Sequence, residues 1–335
     1  MEYSSRIEHR KKQNNKSIFL ERQIMSMKII FMGTPEFAVH SLEVLKERGD
    51  EVMLVISQKD KPKGRGKKLQ PTPVKEKALE YGYRVHQPDR VRESESVELI
   101  RSLSPDLIVV TAFGQILTKE ILDIPRLGCI NVHASLLPKY RGAAPINFAV
   151  INGEEKTGIT TMYMAEGLDT GDMILANEIE IEAHDTAGSL HDKLAQLSRK
   201  TLAKTLELIE KGEAPRTVQD DSQSSYAPMM DKELGHLDFS RDARSVVNLA
   251  RGVDPWPSAY AVLGGETVKL FDVRLGRPSE NTSYGEITDV KSDCIEINAK
   301  GGTVLVYEVQ FPNKKRMPVK EYLKGNEIKT GDLFA

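Results

Sequence analysis

An asparagine and a histidine stand two residues apart in the segment Gly128–Gly142 (GCINVHASLLPKYRG). If Gly128–His133 forms a strand, its side chains alternate between two faces, so Asn131 and His133 point to the same face. A side-chain amide beside an imidazole at the carboxyl end of a strand can stabilise an oxyanion and move protons. Polar residues also end many strands without any chemical role, so the spacing alone leaves both interpretations open.

A second polar segment, Met164–Asp172 (MAEGLDTGD), places Asp169 in a glycine-rich turn of the kind that presents polar groups to a ligand. One hypothesis is that Asp169 reaches the face that carries Asn131 and His133, orients the imidazole and raises its basicity. The alternative is an ordinary Asp-Gly turn that faces solvent.

Other catalytic chemistries lack their characteristic spacing in this chain. Ser135 is not part of a G-x-S-x-G nucleophile elbow, which favours a loop serine that binds ligand or turns the chain. Cys129 and His133 have no second Cys/His pair at metal-ligand spacing, so we predict no metal. The glycine-rich fingerprints for nucleoside triphosphates and dinucleotides are also missing, so neither ligand class is supported.

The segment 59–68 (KDKPKGRGKK) contains six basic residues against one acidic residue. Its proline and glycines predict a mobile loop, and its place after the second strand favours contact with a polyanionic substrate. A run of charge is also commonly a solvated loop tip. The candidate contact residues are Lys61, Lys63, Arg65, Lys67 and Lys68, together with a C-terminal cluster of Lys314, Lys315 and Arg316.

Whole-chain composition limits how such a contact could be made. The 335 residues carry 47 basic and 49 acidic side chains, a net charge of −2, which argues against a broadly basic nucleic-acid surface. Any contact with nucleic acid must therefore be local. Two cysteines cannot build a disulfide framework and fit a reducing compartment. The longest apolar run, residues 107–113, is too short to span a bilayer.

The elements that must position these residues alternate between strands and helices. We predict strands over 28–32, 51–57, 83–86, 106–111 and 128–133, with helices near 35–49, 72–82 and 94–102. This alternation predicts an α/β fold with a doubly wound, mostly parallel, Rossmann-like sheet, which binds ligands at the carboxyl ends of its strands. Thr34 is expected to cap the first helix, with Pro35 at its first position.

The rest of the chain completes a predicted two-domain organisation. Further strands over 157–182 and an amphipathic helix over 186–211 complete a catalytic domain over 27–211. Residues 212–230, rich in proline, serine and charge, are predicted to be a linker. One helix and five short strands predict a small, OB-like β-barrel domain over 231–335. Residues 1–26 lack the apolar core of a signal peptide and are predicted to be a disordered extension.

Several motifs in the chain resemble those of a known family. The segments GCINVHASLLPKYRGAAPI and AEGLDTGD resemble the 10-formyltetrahydrofolate-dependent formyltransferases, and the likeness runs from Met27 to the C-terminus. The resemblance implies that Asn131, His133 and Asp169 are catalytic. It also implies that the folate co-substrate is bound by Ser135, Leu136, Leu137 and Pro138, with Phe113, Gly114, Gln115 and Ile116 along the pterin pocket.

The segments MGTPEFA, KPKGRGKKLQPTPVK and VDPWPSAY imply which amine accepts the formyl group. They resemble family members that formylate the methionine of initiator tRNA for translation initiation, by direct attack of the amine and without a metal. The resemblance then implies that Arg65 occupies the critical basic position in a loop that approaches the acceptor end of the tRNA. It further implies a monomer in a bacterial cytoplasm. The N-x-H and Asp set is shared with formyltransferases that act on nucleotide or sugar-nucleotide amines, which remain the alternative.

Overall fold

The computed structural model describes residues 26–63 and 68–335, so the predicted extension 1–26 lies outside the described residues except for Ser26. The described chain divides into two compact units. The first contains the residues up to 133 together with 160–176 and 198–219, and the second contains 134–159, 177–197 and 220–335. This division differs from the predicted boundaries at 27–211, 212–230 and 231–335, which stay a prediction about domains.

A mostly parallel sheet of seven strands carries the N-terminal part of the chain, in the order β10-β9-β7-β6-β1-β2-β5. The first ten strands are β1 (Lys28–Gly33), β2 (Glu51–Ile56), β3 (Lys61–Lys63), β4 (Lys68–Gln70), β5 (Val85–His86), β6 (Leu107–Thr111), β7 (Cys129–His133), β8 (Arg141–Gly142), β9 (Lys156–Tyr163) and β10 (Met173–Glu180). The first six helices are α1 (Glu36–Arg48), α2 (Pro73–Glu80), α3 (Ser94–Leu103), α4 (Lys119–Leu122), α5 (Pro145–Ile151) and α6 (Ala187–Glu210).

The strand order confirms the predicted doubly wound topology. Strand β1 pairs in parallel with both β2 and β6, and the chain continues outward on each side, to β5 next to β2 and to β7 next to β6. The direction of winding therefore reverses between β1 and β6, and ligands of open α/β sheets bind in the crevice at such a point. Strand β9 pairs antiparallel with β7 on the side opposite β6, so β7 is not an edge strand of the sheet.

Both faces of this sheet are buried, as expected for parallel strands. Ile30 and Met32 of β1 pack in one apolar cluster with residues of α3 and α4, whereas Ile29 and Phe31 between them are equally buried and point the other way. The short continuous apolar run of β1 is therefore explained by burial on two sides, not by a single amphipathic face.

The expected helix cap at Thr34 was wrong. Helix α1 begins at Glu36 after Pro35, with no side-chain cap. The Thr34 hydroxyl instead donates to the carbonyl oxygen of Phe113 at 3.1 Å, and the backbone N–H of Gln58 approaches it at 3.4 Å. A backbone carbonyl that is shielded from water needs a donor. The Thr34 hydroxyl supplies one to Phe113, so it joins two loops and does not cap its own helix.

The predicted mobile loop around 59–68 has a paired base. Strands β3 and β4 form an antiparallel ladder, with Lys61 opposite Gln70 and Pro62 opposite Leu69. Strands of three residues are too short for an apolar alternation to be recognised, so sequence periodicity could not reveal this hairpin.

Antiparallel strands build the C-terminal part of the chain. Its elements are β11 (Tyr226–Ala227), α7 (Ala243–Gly252), β12 (Ala259–Leu263), β13 (Glu266–Leu275), β14 (Ile287–Val290), β15 (Ile295–Ala299), β16 (Gly302–Gln310), β17 (Met317–Pro318) and α8 (Val319–Tyr322). Strands β12 to β16 confirm the five predicted short strands, in the order β12-β13-β16-β15-β14, and β17 adds a sixth beside β16.

The last residues of the chain close this sheet on itself. Phe334 bridges to Leu263 at one edge of the sheet, and Leu333 bridges to Glu286 next to the other edge. The tail therefore satisfies both open edges, as closure into a small barrel requires. The two-residue turn between β12 and β13 needs positive φ at both positions, and Gly264 and Gly265 supply it at 57° and 84°.

Within 26–63 and 68–335, no helix combines the length and apolar character that a bilayer span requires.

Candidate active site

Three polar side chains meet at the carboxyl end of β7. The amide nitrogen Nδ2 of Asn131 lies 3.4 Å from Oδ1 of Asp169, and Nδ1 of His133 lies 3.6 Å from Oδ2 of the same carboxylate. The side chains of His133 and Asp169 are only 6% and 12% exposed. The structure therefore brings together the amide, the imidazole and the carboxylate that the sequence suggested.

The alternation of β7 explains why the site opens where it does. Cys129 shares the face of Asn131 and His133 but lies under α4, with its Sγ 3.9 Å from the carbonyl oxygens of Ile121 and Leu122. Burial raises the pKa of the Cys129 thiol to about 12, so this group stays protonated and unreactive at neutral pH. The groups that can do chemistry are Asn131 and His133, which follow Cys129 on the same face toward the carboxyl end of β7.

Asp169 stands in the turn between β9 and β10 with its backbone in the left-handed region, at φ 53°. Non-glycine residues adopt this region mainly where the surroundings impose it, and Asp tolerates it better than most. Two residues later, a methyl group on Gly171 would overlap the carbonyl oxygen of Tyr163. The turn closes tightly there, which fixes the direction in which the carboxylate of Asp169 leaves the backbone.

A glutamine that sequence reasoning missed holds this turn. Gln219 is 7% exposed, and its Nε2 donates to the carbonyl oxygens of Asp169 and Gly171, both at 2.8 Å. It comes from the segment 212–230, where proline, serine and charge predicted only a linker. Nothing local in that composition distinguishes Gln219, because its partners lie 50 and 48 residues away in the chain.

The loop after β6 is built around one carbonyl group. The oxygen of Phe113 accepts from Thr34 Oγ1 at 3.1 Å and from Gln58 Nε2 at 2.9 Å, so residues that follow β1, β2 and β6 are joined at the point where the winding reverses. The ring of Phe113 is 2% exposed and belongs to the apolar core beneath. The backbone of Phe113 thus shapes the loop, while its side chain serves the core.

The other three residues predicted for the pterin pocket differ in exposure. Gly114 is exposed, with φ 77°, and Ile116 is 78% exposed. Gln115 uses its Oε1 to accept from the backbone N–H of Val91 at 2.7 Å. Single exposed aliphatic side chains are common on protein surfaces, and that of Ile116 is accessible to an apolar partner.

The predicted folate segment Ser135–Pro138 forms a turn in the second compact unit. Ser135 is buried and its hydroxyl donates to the carbonyl oxygen of Lys139 at 2.6 Å. Leu137 is 7% exposed, and Leu136 and Pro138 are half-buried. Of the two roles left open for Ser135, the hydrogen bond supports the one in which it turns the chain.

Strands β3 and β4 form what we call the basic hairpin, and residues at its base anchor it. Asp60 binds Nζ of Lys75 at 2.7 Å and the amide of Gln87 at 2.7 Å, and these hydrogen bonds hold the pKa of the Asp60 carboxyl below its usual value. Lys61 Nζ donates to Oε1 of Gln58 at 3.1 Å, which links the hairpin to the residue that holds the Phe113 carbonyl.

The remaining predicted contacts of this hairpin are described only in part. Arg65 and Lys67 lie outside the described residues, and only the backbone of Lys63 and Lys68 is described.

The C-terminal basic cluster splits into two kinds of residue. Lys314 and Lys315 are exposed. Arg316 donates to Glu308 at 2.6 Å, lies 3.3 Å from Asp254 and places its guanidinium 4.1 Å above the ring of Phe271. Arg316 is therefore committed to contacts within its own unit.

Two family models match most of the chain. A family model described as "Formyl transferase" matches residues 27–206, and a second, "Formyl transferase, C-terminal domain", matches residues 229–327. The chain belongs to the formyl transferase family. Residues 207–228, between the two matched regions, include Gln219.

Curated relatives of this formyl transferase cover nearly its whole length. It is 55% identical over 305 residues to a methionyl-tRNA formyltransferase of Clostridioides difficile (strain 630), covering 91% of this chain and 99% of that one. It is 52% identical over 308 residues to the methionyl-tRNA formyltransferase of Alkaliphilus oremlandii (strain OhILAs), covering 92% and 99% respectively.

Solved structures share the fold of this formyl transferase at low identity. WlaRD, a sugar 3N-formyl transferase solved in the presence of dTDP and 5-N-formyl-THF, is 20% identical, with a TM-score of 0.64 over 87% of this chain and 99% of that one. HypX from Aquifex aeolicus, solved with tetrahydrofolic acid, is 18% identical, with a TM-score of 0.58 over 92% of this chain and 51% of that one.

Arg316 of this formyl transferase should matter for stability. Burial raises the pKa of the Asp254 carboxyl and the Arg316 guanidinium opposes that effect, so Arg316→Ala leaves a poorly solvated carboxylate without its counter-charge. Because the Arg316 side chain is 42% exposed, solvent screens this pair, and we expect the free energy of unfolding to fall by about 1 kcal/mol. Denaturant unfolding measures this, with Lys315→Ala as the matched surface control, expected to change it by less than about 0.5 kcal/mol. Equal effects of the two substitutions would contradict the structural role of Arg316.

Proposed function

We propose that this formyl transferase moves the formyl group of 10-formyltetrahydrofolate to the α-amino group of methionine on initiator methionyl-tRNA. The observation that carries the proposal is the meeting of Asn131, His133 and Asp169 at the carboxyl end of β7. The choice of acceptor is supported by curated methionyl-tRNA formyltransferases at 55% and 52% identity over nearly the whole chain.

The donor set at β7 fits a reaction that passes charge onto a carbonyl oxygen. The folate co-substrate, when bound, supplies the formyl carbonyl that the methionine amine attacks. A side-chain amide has two N–H donors, so Asn131 can face Asp169 with one and the reacting oxygen with the other. Loss of a single donor to a developing oxyanion typically costs about 2.7–4 kcal/mol of transition-state stabilisation.

His133 and Asp169 supply the proton transfer. With Nδ1 turned toward the carboxylate of Asp169, the imidazole presents Nε2 on its other side, where it can donate to the oxyanion or exchange a proton. The attacking amine must lose a proton and the leaving folate nitrogen must gain one, so a group that does both fits the reaction. The separation of 3.6 Å is typical of a free enzyme whose catalytic hydrogen bonds shorten when substrates bind.

Substrate binding is assigned to the remaining predicted residues. Leu136, Leu137 and Pro138, and the loop of Phe113, Gly114, Gln115 and Ile116, are proposed as folate contacts, with the Phe113 contribution made through its backbone. Ser135 is proposed to serve the folate site by turning the chain that carries these residues.

We propose that Lys61, Lys63, Arg65, Lys67 and Lys68 contact the tRNA backbone, together with Lys314 and Lys315. Arg316 is less suited to this role because its guanidinium already serves two carboxylates. The protein is proposed to act as a monomer in the bacterial cytoplasm, and its curated relatives are bacterial.

A formyltransferase for a nucleotide or sugar-nucleotide amine is the second candidate, because solved sugar formyltransferases share the fold. One assay separates the two functions. Purified protein is given 10-formyltetrahydrofolate and either charged initiator tRNA, charged elongator methionyl-tRNA or an amino-sugar nucleotide. The proposal requires rapid formylation of the initiator tRNA alone, and preference for the amino-sugar nucleotide would replace it with the second candidate.

Replacing the Asp169 carboxylate should separate catalysis from binding. Asp169→Asn keeps the shape of the side chain but removes the charge that orients His133, so we expect kcat to fall by roughly 100-fold or more with little change in tRNA affinity. Steady-state kinetics and a filter-binding titration measure the two quantities. The matched control is Glu166→Gln in the same turn, where the side chain is exposed. Near-normal turnover of Asp169→Asn would remove Asp169 from the mechanism.

A substitution in the basic hairpin should change the kinetics with tRNA but not those with the folate donor. Arg65→Ala removes one positive charge from the basic segment 59–68, so KM for charged initiator tRNA should rise about tenfold and its salt dependence should become shallower. KM for the folate donor should be unchanged. Lys119→Ala, an exposed lysine paired with Asp123, is the charge-matched control. Unchanged kinetics on tRNA across salt concentrations would reject the assignment of this hairpin.

A further inference from the structure

The segment around Gln219 lies along the Asp169 turn like an added strand. Thr217 exchanges backbone hydrogen bonds with Met173, at 2.8 Å and 3.0 Å. The next two side chains then alternate, with Val218 78% exposed and Gln219 7% exposed. This alternation aims Gln219 inward, beneath the turn that carries the carboxylate.

The chemistry of the Gln219 amide matches the groups that it meets. An amide nitrogen has two N–H donors, and Nε2 of Gln219 faces two carbonyl oxygens, those of Asp169 and Gly171, at 2.8 Å each. The first of these belongs to the backbone of the residue that supplies the carboxylate. A buried backbone carbonyl needs a donor, and loss of the amide removes one donor from each of these two groups.

Other contacts of the same segment support the turn from outside. The guanidinium of Arg216 stacks 3.7 Å above the ring of Tyr163 and lies 3.5 Å from the carboxylate of Asp172. The side chains of the turn itself contribute little packing, because residues 165–168 and 170 are exposed. The turn therefore depends on its neighbours for a fixed position.

We propose that Gln219 is a positioning residue that sets where the Asp169 carboxylate stands relative to Asn131 and His133. Its two hydrogen bonds hold the backbone on either side of Thr170 and so fix the left-handed conformation of Asp169, which in turn fixes the direction of the carboxylate. The inference rests on the proposed function, since it assigns to Gln219 an effect on the same reaction.

The substitution that tests this is Gln219→Met, which keeps the length of the side chain and removes both donors. A displacement of about 1 Å in a catalytic group can cost about 100-fold in rate, so we expect kcat to fall roughly 10- to 100-fold while KM for both substrates changes less than about twofold. Val218→Thr, one residue earlier on the exposed side, is the matched control and should retain wild-type kcat. Wild-type kcat in Gln219→Met would overturn the proposal.

A double-mutant cycle separates positioning from general support of the fold. If Gln219 acts through the Asp169 carboxylate, then Gln219→Met should lower kcat by less than about twofold when it is introduced into Asp169→Asn. If the substitution lowers kcat by the same factor in both backgrounds, Gln219 acts independently of Asp169 and the proposal is wrong.

A measurement of backbone exchange needs no catalytic turnover, so it tests the role of Gln219 independently of the proposed function. Hydrogen–deuterium exchange of residues 164–172 should accelerate at least fivefold in Gln219→Met and stay unchanged in Val218→Thr, because the first variant frees the turn. Should the wild-type protein fail to formylate initiator tRNA, the proposed function falls while this exchange result still decides the positional role. Unchanged exchange over 164–172 in Gln219→Met overturns the positional role, whether or not the protein has activity. Should Gln219→Met fail to fold, the same two measurements are made on Gln219→Glu, which keeps the shape and replaces the donors with a carboxylate.

Discussion

The carboxylate of Asp169, shared between an amide and an imidazole, is the interaction on which the rest of this site depends. A negative charge whose side chain is only 12% exposed needs compensating partners, and Asn131 and His133 supply them from one strand. In return, the carboxylate turns both side chains toward the same point in space. A site of this kind works only if strand β7 and the turn after β9 keep a fixed relationship, so the fold has to constrain both.

The sheet provides the first half of that constraint. Antiparallel pairing of β9 with β7 sets Asn131 opposite Met162 and His133 opposite Thr160, which brings the end of β9 back beside Ile130. The turn that follows β9 therefore starts near the amino end of β7 and runs back to bring Asp169 beside Asn131 and His133. Tight closure at Gly171 and the two hydrogen bonds from Gln219 then provide the second half. The neighbouring loops are joined in a similar way, through the Phe113 carbonyl and its donors Thr34 and Gln58.

The parts of this account that sequence could predict are those that depend on local pattern. Alternation along Gly128–His133 predicted that Asn131 and His133 share a face, and alternating strands and helices predicted the doubly wound sheet. Contacts between residues that are distant in the chain were harder to predict. The pairing of Asp169 with β7 could only be offered as one of two hypotheses, and the resemblance to a known family was needed to choose it.

Where local preference competes with a distant partner, the sequence prediction failed or was silent. Thr34 has the chemistry of a helix cap, but its hydroxyl donates instead to the carbonyl oxygen of Phe113, 79 residues away in the chain. Gln219 sits in a polar stretch in which nothing marks one residue above another. The sequence grouped Arg316 with Lys314 and Lys315 as a basic cluster. It could not show that Arg316 contacts Glu308, Asp254 and the Phe271 ring within the C-terminal unit. These contacts depend on the assembled fold.

Direct attack by the amine is the central claim, because Asn131, His133 and Asp169 act as donors and proton carriers and none of them as a nucleophile. Initial-rate kinetics with both substrates varied test it most directly. If the formyl group passes straight from folate to the methionine amine, both substrates must be bound together, and double-reciprocal plots will intersect to the left of the rate axis. Parallel lines, with formyl left on the protein when the folate donor is supplied alone, would indicate a covalent intermediate and contradict the account.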